Sequence, residues 1–246
     1  MLMRLLSSGL AAGLLAGFCV AGIQSVTTTP LILKAEVYEK AAAGHHHANL
    51  NRPPLHVASG APVVFAHETA APAPSDPDDT LKRTALTATA TIGAAVGFAL
   101  MLLAIMLASE ARITAATATL WGAAGFVVTG LAPGLGLAPE LPGSVAADLA
   151  ARQIWWITTA SLTGLGLWSI WRWRTIGPVF GGIALIAIPH IWGAPHPAQF
   201  ASTVPAELAS HFTSSSLAVH AILWVLVGAF AGAIWDRQAP PQATRQ

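Results

Sequence analysis

The sequence predicts an all-α fold, a polytopic transmembrane helix bundle of five or six spans, with a largely disordered extracytoplasmic loop after the first span. Three observations predict it. Hydrophobic residues make up 54% of the 246 and charged residues only 9%, where a soluble domain carries about 25%. Six charge-free stretches run for the length, or nearly the length, of a membrane crossing, which takes about 20 apolar residues. Tryptophans gather at both ends of one stretch, Trp155 and Trp156 at one side and Trp168, Trp171 and Trp173 at the other, as interfacial belts do.

The first stretch, 5–26, follows Arg4 and has small residues near Ala21 and Gly22, the outline of a signal peptide. Its Gly9, Gly13 and Gly17 recur every four residues, however, a stripe suited to helix packing, and an uncleaved helix is expected. Residues 27–83 form the extracytoplasmic loop. Its prolines, Pro53, Pro54, Pro62, Pro72, Pro74 and Pro77, and the proline-rich acidic run 70–80 cannot bury a core, and its middle is expected to be mobile. Within it, 31–43 suits a short surface helix.

The second stretch, 84–109, repeats the glycine spacing at Gly93 and Gly97, and Thr84, Thr87 and Thr91 share a face suited to interhelical hydrogen bonds. Stretch 113–131 follows. Asp148 and Arg152, four apart, suit a helix ion pair. Stretches 154–170 and 176–191 are short; Pro178 fits a helix start, and Pro189 falls near the other end. The last, 217–235, carries Gly228 and Gly232. Arg4, Arg112, Arg172, Arg174, Arg237 and Arg245 then fall on one side, so both termini are expected in the cytoplasm. The division is 1–26 first helix, 27–83 loop, 84–237 bundle and 238–246 cytoplasmic tail, in a lipid bilayer.

Several function classes drop out. A net charge of +1 provides no extended basic surface for a nucleic-acid backbone, so nucleic acid is not expected as a partner. Cys19, the single cysteine, supports neither a disulfide nor a thiolate metal site. The chain has no G-x-x-x-x-G-K-[ST], H-E-x-x-H or G-x-S-x-G, so nothing marks it as an enzyme.

Of nine histidines, His45, His46, His47, His56 and His67 lie in the loop. With Glu36 and Glu39 they offer imidazole nitrogen and carboxylate oxygen to a divalent ion; a solvated tract without a ligand is the plain alternative. His190 and His196 stand among Pro189, Pro195, Pro197 and Gly193, where irregular backbone frees carbonyls beside imidazoles; the alternative is a membrane-exit turn. His220 opens the last span, where an ionisable residue is a functional candidate or simply snorkels.

Five stretches taken together resemble the CbtA family of predicted cobalt transporter subunits. They are Thr29-Pro30-Leu31-Ile32-Leu33-Lys34-Ala35-Glu36-Val37-Tyr38-Glu39, Pro139-Glu140-Leu141-Pro142-Gly143, the run 148–156, the run 189–197, and Val204-Pro205-Ala206-Glu207-Leu208. The resemblance implies a multi-pass protein of the cell inner membrane that imports cobalt, with Co2+ as transported ion and no cofactor. It also implies a small single-span CbtB-type subunit with a His motif as partner. On this reading Glu36, Glu39, His45, His46 and His47 collect the ion outside, and His190 and His196 receive it at the bundle. Two other readings stand beside it: a membrane haem protein using His190 and His220 as axial ligands, and a non-transporting sensor or assembly subunit.

The two histidine groups separate by role. Replacing His45, His46 and His47 together with alanine is expected mainly to weaken cobalt uptake at low metal. His190→Ala is expected to lower the maximal rate even at saturating metal, because a lost ligand there leaves a poorly hydrated path. Uptake curves at equal membrane abundance check both, and an unchanged half-saturation in the triple variant or a full maximal rate in His190→Ala contradicts the division.

Overall fold

A glycine at every fourth position removes the side chain that would hold two helices apart, and that spacing sets the closest contacts here. The computed structural model describes residues 1–49, 77–199 and 201–238. Among them the regular structure is helical. The order is α1 (Leu2–Val26), α2 (Thr28–Asn49), α3 (Pro77–Ala108), then α4 (Ala115–Phe126), which continues through a π-helical turn (Val127–Leu131) into α5 (Ala132–Gly134). After these come α6 (Leu149–Trp173), α7 (Ile176–Trp192) and α8 (Ala206–Arg237).

Four helices are long and apolar enough to cross a membrane: Leu2–Val26, Leu81–Ala108, Ala115–Gly134 and Ala206–Arg237. The 17 residues of α7 reach roughly 26 Å, a little short of a hydrocarbon core of about 30 Å. With 25 residues α6 has the length, and its charges, Arg152 and Arg172, sit within a turn of its ends. These two helices pack as an antiparallel hairpin from Trp155 against Pro189 and His190 to Ser169 against Pro178. They therefore form one unit that starts and ends on the same side of the bundle. Parity agrees: Arg4 donates to the Trp235 carbonyl and lies over its ring, while Ser7 and Ser8 donate to Gln238. The start of α1 and the end of α8 meet at one face, which requires an even number of crossings between them. That face carries Arg4, Arg112, Arg172, Arg174 and Arg237; Arg245 lies outside the described residues.

Gly9, Gly13 and Gly17 of α1 sit on Leu100, Val96 and Ile92 of α3. Gly228 and Gly232 of α8 sit on the backbone of α4 at Ala118 and Thr114. Ala12, Ala16, Val20, Leu103, Met106, Val227 and Ala231 are fully buried around these contacts. The remaining pair departs from expectation. Gly93 and Gly97 have open space where a β-carbon would stand, so their side of α3 faces away from the bundle. Of the threonines on the same helix, Thr91 does make the expected bond, donating to Gln24 Oε1 at 2.7 Å.

At 1.5 Å per residue, the 32-residue α3 and α8 each run about 48 Å, well beyond the hydrocarbon. Their surplus turns emerge from the face opposite the arginines, where α3 reaches α2 through Arg83 and α8 helps to build a second small core. Ala35 of α2, Leu141 and Val204 are buried there, with Ile32, Leu208 and Phe212 around them. Gly143, at φ +86°, ties the layer together: a side chain there would be strained and would strike Thr203. Thr203 N–H donates to its carbonyl at 3.2 Å, and Val145 N–H donates to Ala201 at 3.0 Å.

Several local expectations change. The surface helix predicted over 31–43 extends as α2 to Asn49, so the backbone of His45, His46 and His47 is helical. Helix α8 begins at Ala206, eleven residues before the apolar run at 217, because its polar first turns pack on the outer layer. Asp148 does not pair with Arg152; its carboxylate caps α6 by accepting from Ala151 N–H at 2.9 Å, while Arg152 pairs with Glu140 at 3.3 Å. Trp155 is buried instead of interfacial, because its indole N–H donates to the Pro189 carbonyl. The mobile middle expected for the loop, with His56 and His67, lies outside the described residues.

A leucine at Gly13 must displace α3 backbone, whereas one at Gly97 meets nothing. Overpacking of this kind costs about 1–3 kcal/mol or more. Gly13→Leu is expected to lower the thermal unfolding midpoint in detergent by several degrees, and Gly97→Leu to leave it in place.

Candidate functional site

Pro133 has no N–H to give the carbonyl of Thr129, and in a regular α-helix its ring would press on that carbonyl. The chain answers with one π-helical turn, Val127–Leu131, in which the Ala132 N–H reaches back to Val127. Beside this turn lies a cavity of about 790 Å3 that opens on the face opposite the arginines. Its walls include Thr129, Gly130 and Pro133 from the turn, Arg152, Gln153 and Trp156 from α6, and Ser216 and His220 from α8. Glu140 contributes from the outer layer, and its ion pair with Arg152 stands at the mouth.

At the inner end His220 is locked in place. The Trp224 indole N–H is shared between His220 Nε2 and Thr129 Oγ1, each at 2.9 Å. Thr129 gives its own proton to the Gly125 carbonyl at 2.9 Å, so its oxygen faces the imidazole as an acceptor, 3.3 Å from Nε2. An Nε2 that accepts leaves the proton of the neutral ring on Nδ1. Phe98 stacks on both the imidazole and the indole, and Phe126 packs against the imidazole from the side. An imidazole lone pair and a hydroxyl oxygen thus converge on one indole N–H, and a cation taking the place of that donor would meet both.

The residues singled out from sequence fall in three places. Glu36, on α2, is held by Arg83 of α3 through both guanidinium nitrogens, with Nη1 donating at 2.6 Å. Those hydrogen bonds keep its carboxyl below the usual carboxylate value, against the upward push of burial. Glu39 is exposed on the same helix, and His45, His46 and His47 follow it at the end of α2. His190 packs edge-on against Trp155, and its buried Nε2 has no hydrogen-bond partner among the described residues. Along the same seam Thr159 and Thr163 are fully buried, their hydroxyls likewise without partners among the described residues. His196 is exposed in the loop that follows, lining a shallower hollow with Asp148. Among the described residues no three His, Cys, Asp or Glu side chains come together to hold a metal. His190 and His220 have different neighbours and do not face one another. Thr129 and Trp224 escaped sequence reasoning; the available cue was Pro133, four residues beyond Thr129 at the end of an apolar run.

Long apolar helices packed as one bundle, with a cavity opening at one face, define a polytopic α-helical membrane protein. The chain belongs to the CbtA family, described as a probable cobalt transporter subunit, whose family model matches residues 2–236. No curated protein and no solved structure matches it.

The Arg83–Glu36 pair generates a pH dependence. A carboxyl held below its unfolded value stabilises the native contact above that value, and the contribution disappears as pH falls through the depressed folded value. Protection of α2 amides from hydrogen exchange is therefore expected to fall on acidification in the wild type. Glu36→Gln is expected to show the lowered protection already at neutral pH, with no further loss from this pair.

Proposed function

We propose that this chain is the ion-conducting subunit of a cobalt uptake transporter in the cell inner membrane, with its arginine-rich face and both termini in the cytoplasm. The observation that carries the reading is the cavity that descends from the opposite face to His220 and Thr129. Arginine concentrated on one face supports the orientation. A small single-span CbtB-type subunit is the proposed partner, in keeping with the family's description as a subunit.

In this proposal Glu39 and His45, His46 and His47 raise the ion's concentration at the outer layer, Glu36 being taken up by Arg83. His196 and His190, which do not line this cavity, receive the ion beside it, and Glu140 offsets the repulsion of Arg152 at the mouth. At the floor Co2+ displaces the Trp224 N–H and takes His220 Nε2 and Thr129 Oγ1 as ligands, imidazole being a favoured donor for divalent transition metals. The Thr129 carbonyl, whose usual helical donor Pro133 lacks, offers a third donor atom in the same region. No ATP is needed. A potential of 100 mV gives a divalent ion roughly 4.6 kcal/mol, which sustains an inward gradient on the order of a thousandfold.

Vesicles containing this chain, with and without the small partner, test the proposal. His220→Ala is expected to cut the maximal rate of cobalt uptake by about tenfold or more, the consequence of losing one charge-assisted contact. Thr129→Val is expected to reduce it less. Full maximal rates in both variants, at wild-type abundance, would remove the cavity from the transport path.

A further inference from the structure

A second cavity lies at the arginine-rich face, between the start of α4 and the end of α6. It encloses about 280 Å3 and is lined by Arg112, Thr117, Trp121, Trp168, Trp171 and Arg172, with Ser109 and Ala111 at its edge. We propose that it binds the phosphate headgroup of an anionic phospholipid, with the acyl chains lying along the outer surface of α4 and α6.

Charge is the first reason. Arg112 and Arg172 bring two guanidinium groups to one small volume, and among the described residues neither forms an ion pair; the pairs present are Arg83 with Glu36 and Arg152 with Glu140. Two like charges beside one cavity repel unless an anion lies between them, and a guanidinium fork matches phosphate oxygens. Preorganisation is the second. Thr117 Oγ1 donates to the Arg112 carbonyl at 2.6 Å and accepts from Thr114 N–H, so the backbone that carries Arg112 is fixed to the first turn of α4. Trp121 packs against Trp168 and Trp171 with ring centres 6.2 and 5.6 Å away, which fixes the opposite wall. None of these three indole N–H groups has a protein acceptor among the described residues, and indoles belong at headgroup depth.

Size and surroundings select a lipid. The cavity holds a headgroup and is smaller than the 300–1,000 Å3 typical of sites that engulf a whole small molecule. Leu120 lies on the Thr117 and Trp121 face of α4, and Leu165 on the Trp168 and Arg172 face of α6; both are largely exposed. They continue the two walls into the hydrocarbon, where an acyl chain would cover them. The carboxylates at this end, Glu110 and Asp236, do not line the cavity.

Native mass spectrometry of the purified protein with added lipid tests this. Phosphatidylglycerol is expected to bind the wild type in preference to phosphatidylcholine and to raise its thermal midpoint. The double variant Arg112→Gln/Arg172→Gln is expected to retain phosphatidylglycerol at least about tenfold less, each lost guanidinium costing roughly fivefold. Arg237→Gln, at the same face but outside the cavity, is expected to bind as the wild type does, which separates the site from general surface charge. Should the double variant be poorly folded, Arg172→Lys, which keeps the charge, is expected to retain intermediate binding. Equal retention of the two lipids by the wild type, or equal loss in Arg237→Gln, overturns the proposal. So does a thermal shift of the same size with inorganic phosphate alone, since that would make the ligand a free anion.

Discussion

Inside a hydrocarbon layer a peptide group cannot turn to water, so each interruption of a helix must be answered within the protein. Two prolines pose this problem within spans. Pro133 removes the partner of the Thr129 carbonyl, and the π-helical turn that results widens the helix beside the largest cavity described. Pro189, inside α7, likewise takes the donor from the Leu185 carbonyl, and beside it the Trp155 indole N–H donates to the Pro189 carbonyl at 3.3 Å while its ring packs against His190. Both irregularities face protein or cavity, and both bring a histidine with them.

The glycine contacts make those sites possible. Where α8 lies on α4 through Gly228 and Gly232, backbones meet without intervening side chains, and α8 is fixed in rotation. That rotation aims His220 and Trp224 at Thr129. Gly122 meets the Trp224 carbonyl and Gly125 the Trp224 ring, so the indole that holds the imidazole is itself seated on glycines. A larger residue at either position would move the donor away from the imidazole, and the site would loosen without any change in its own residues.

Opposite the arginine-rich face, segments far apart in the chain share one layer. Ala35 of the first motif meets Leu141 of the second and Val204 of the last, and Glu140 pairs with Arg152. Three of the short stretches that resemble the family are therefore neighbours in space, and those at 139–143 and 148–156 help line the cavity. Their chemistry is half structural: Gly143 turns the chain, Asp148 caps α6, and Leu141 fills a small core.

Much of this molecule was legible in one dimension. Apolar length, the glycine spacing in α1 and α8 and the tryptophans at helix ends are local properties, and they predicted the crossing helices, two of the three close contacts and the arginine-rich side. The third glycine pair, Gly93 and Gly97, shows the limit: the same spacing occurs, yet it faces outward, because rotation of α3 is set by what α1 presents to it. Arg152 likewise had a partner in sequence, Asp148, and took Glu140 instead, since the cap position had already engaged the Asp148 carboxylate. The cavity, the sharing of one indole N–H between His220 and Thr129, and the paired arginines beside Trp121 could be decided only by tertiary structure. Each joins groups dozens of residues apart, and which groups meet depends on helix rotation and on a single change of helical register, neither of which has a local signature.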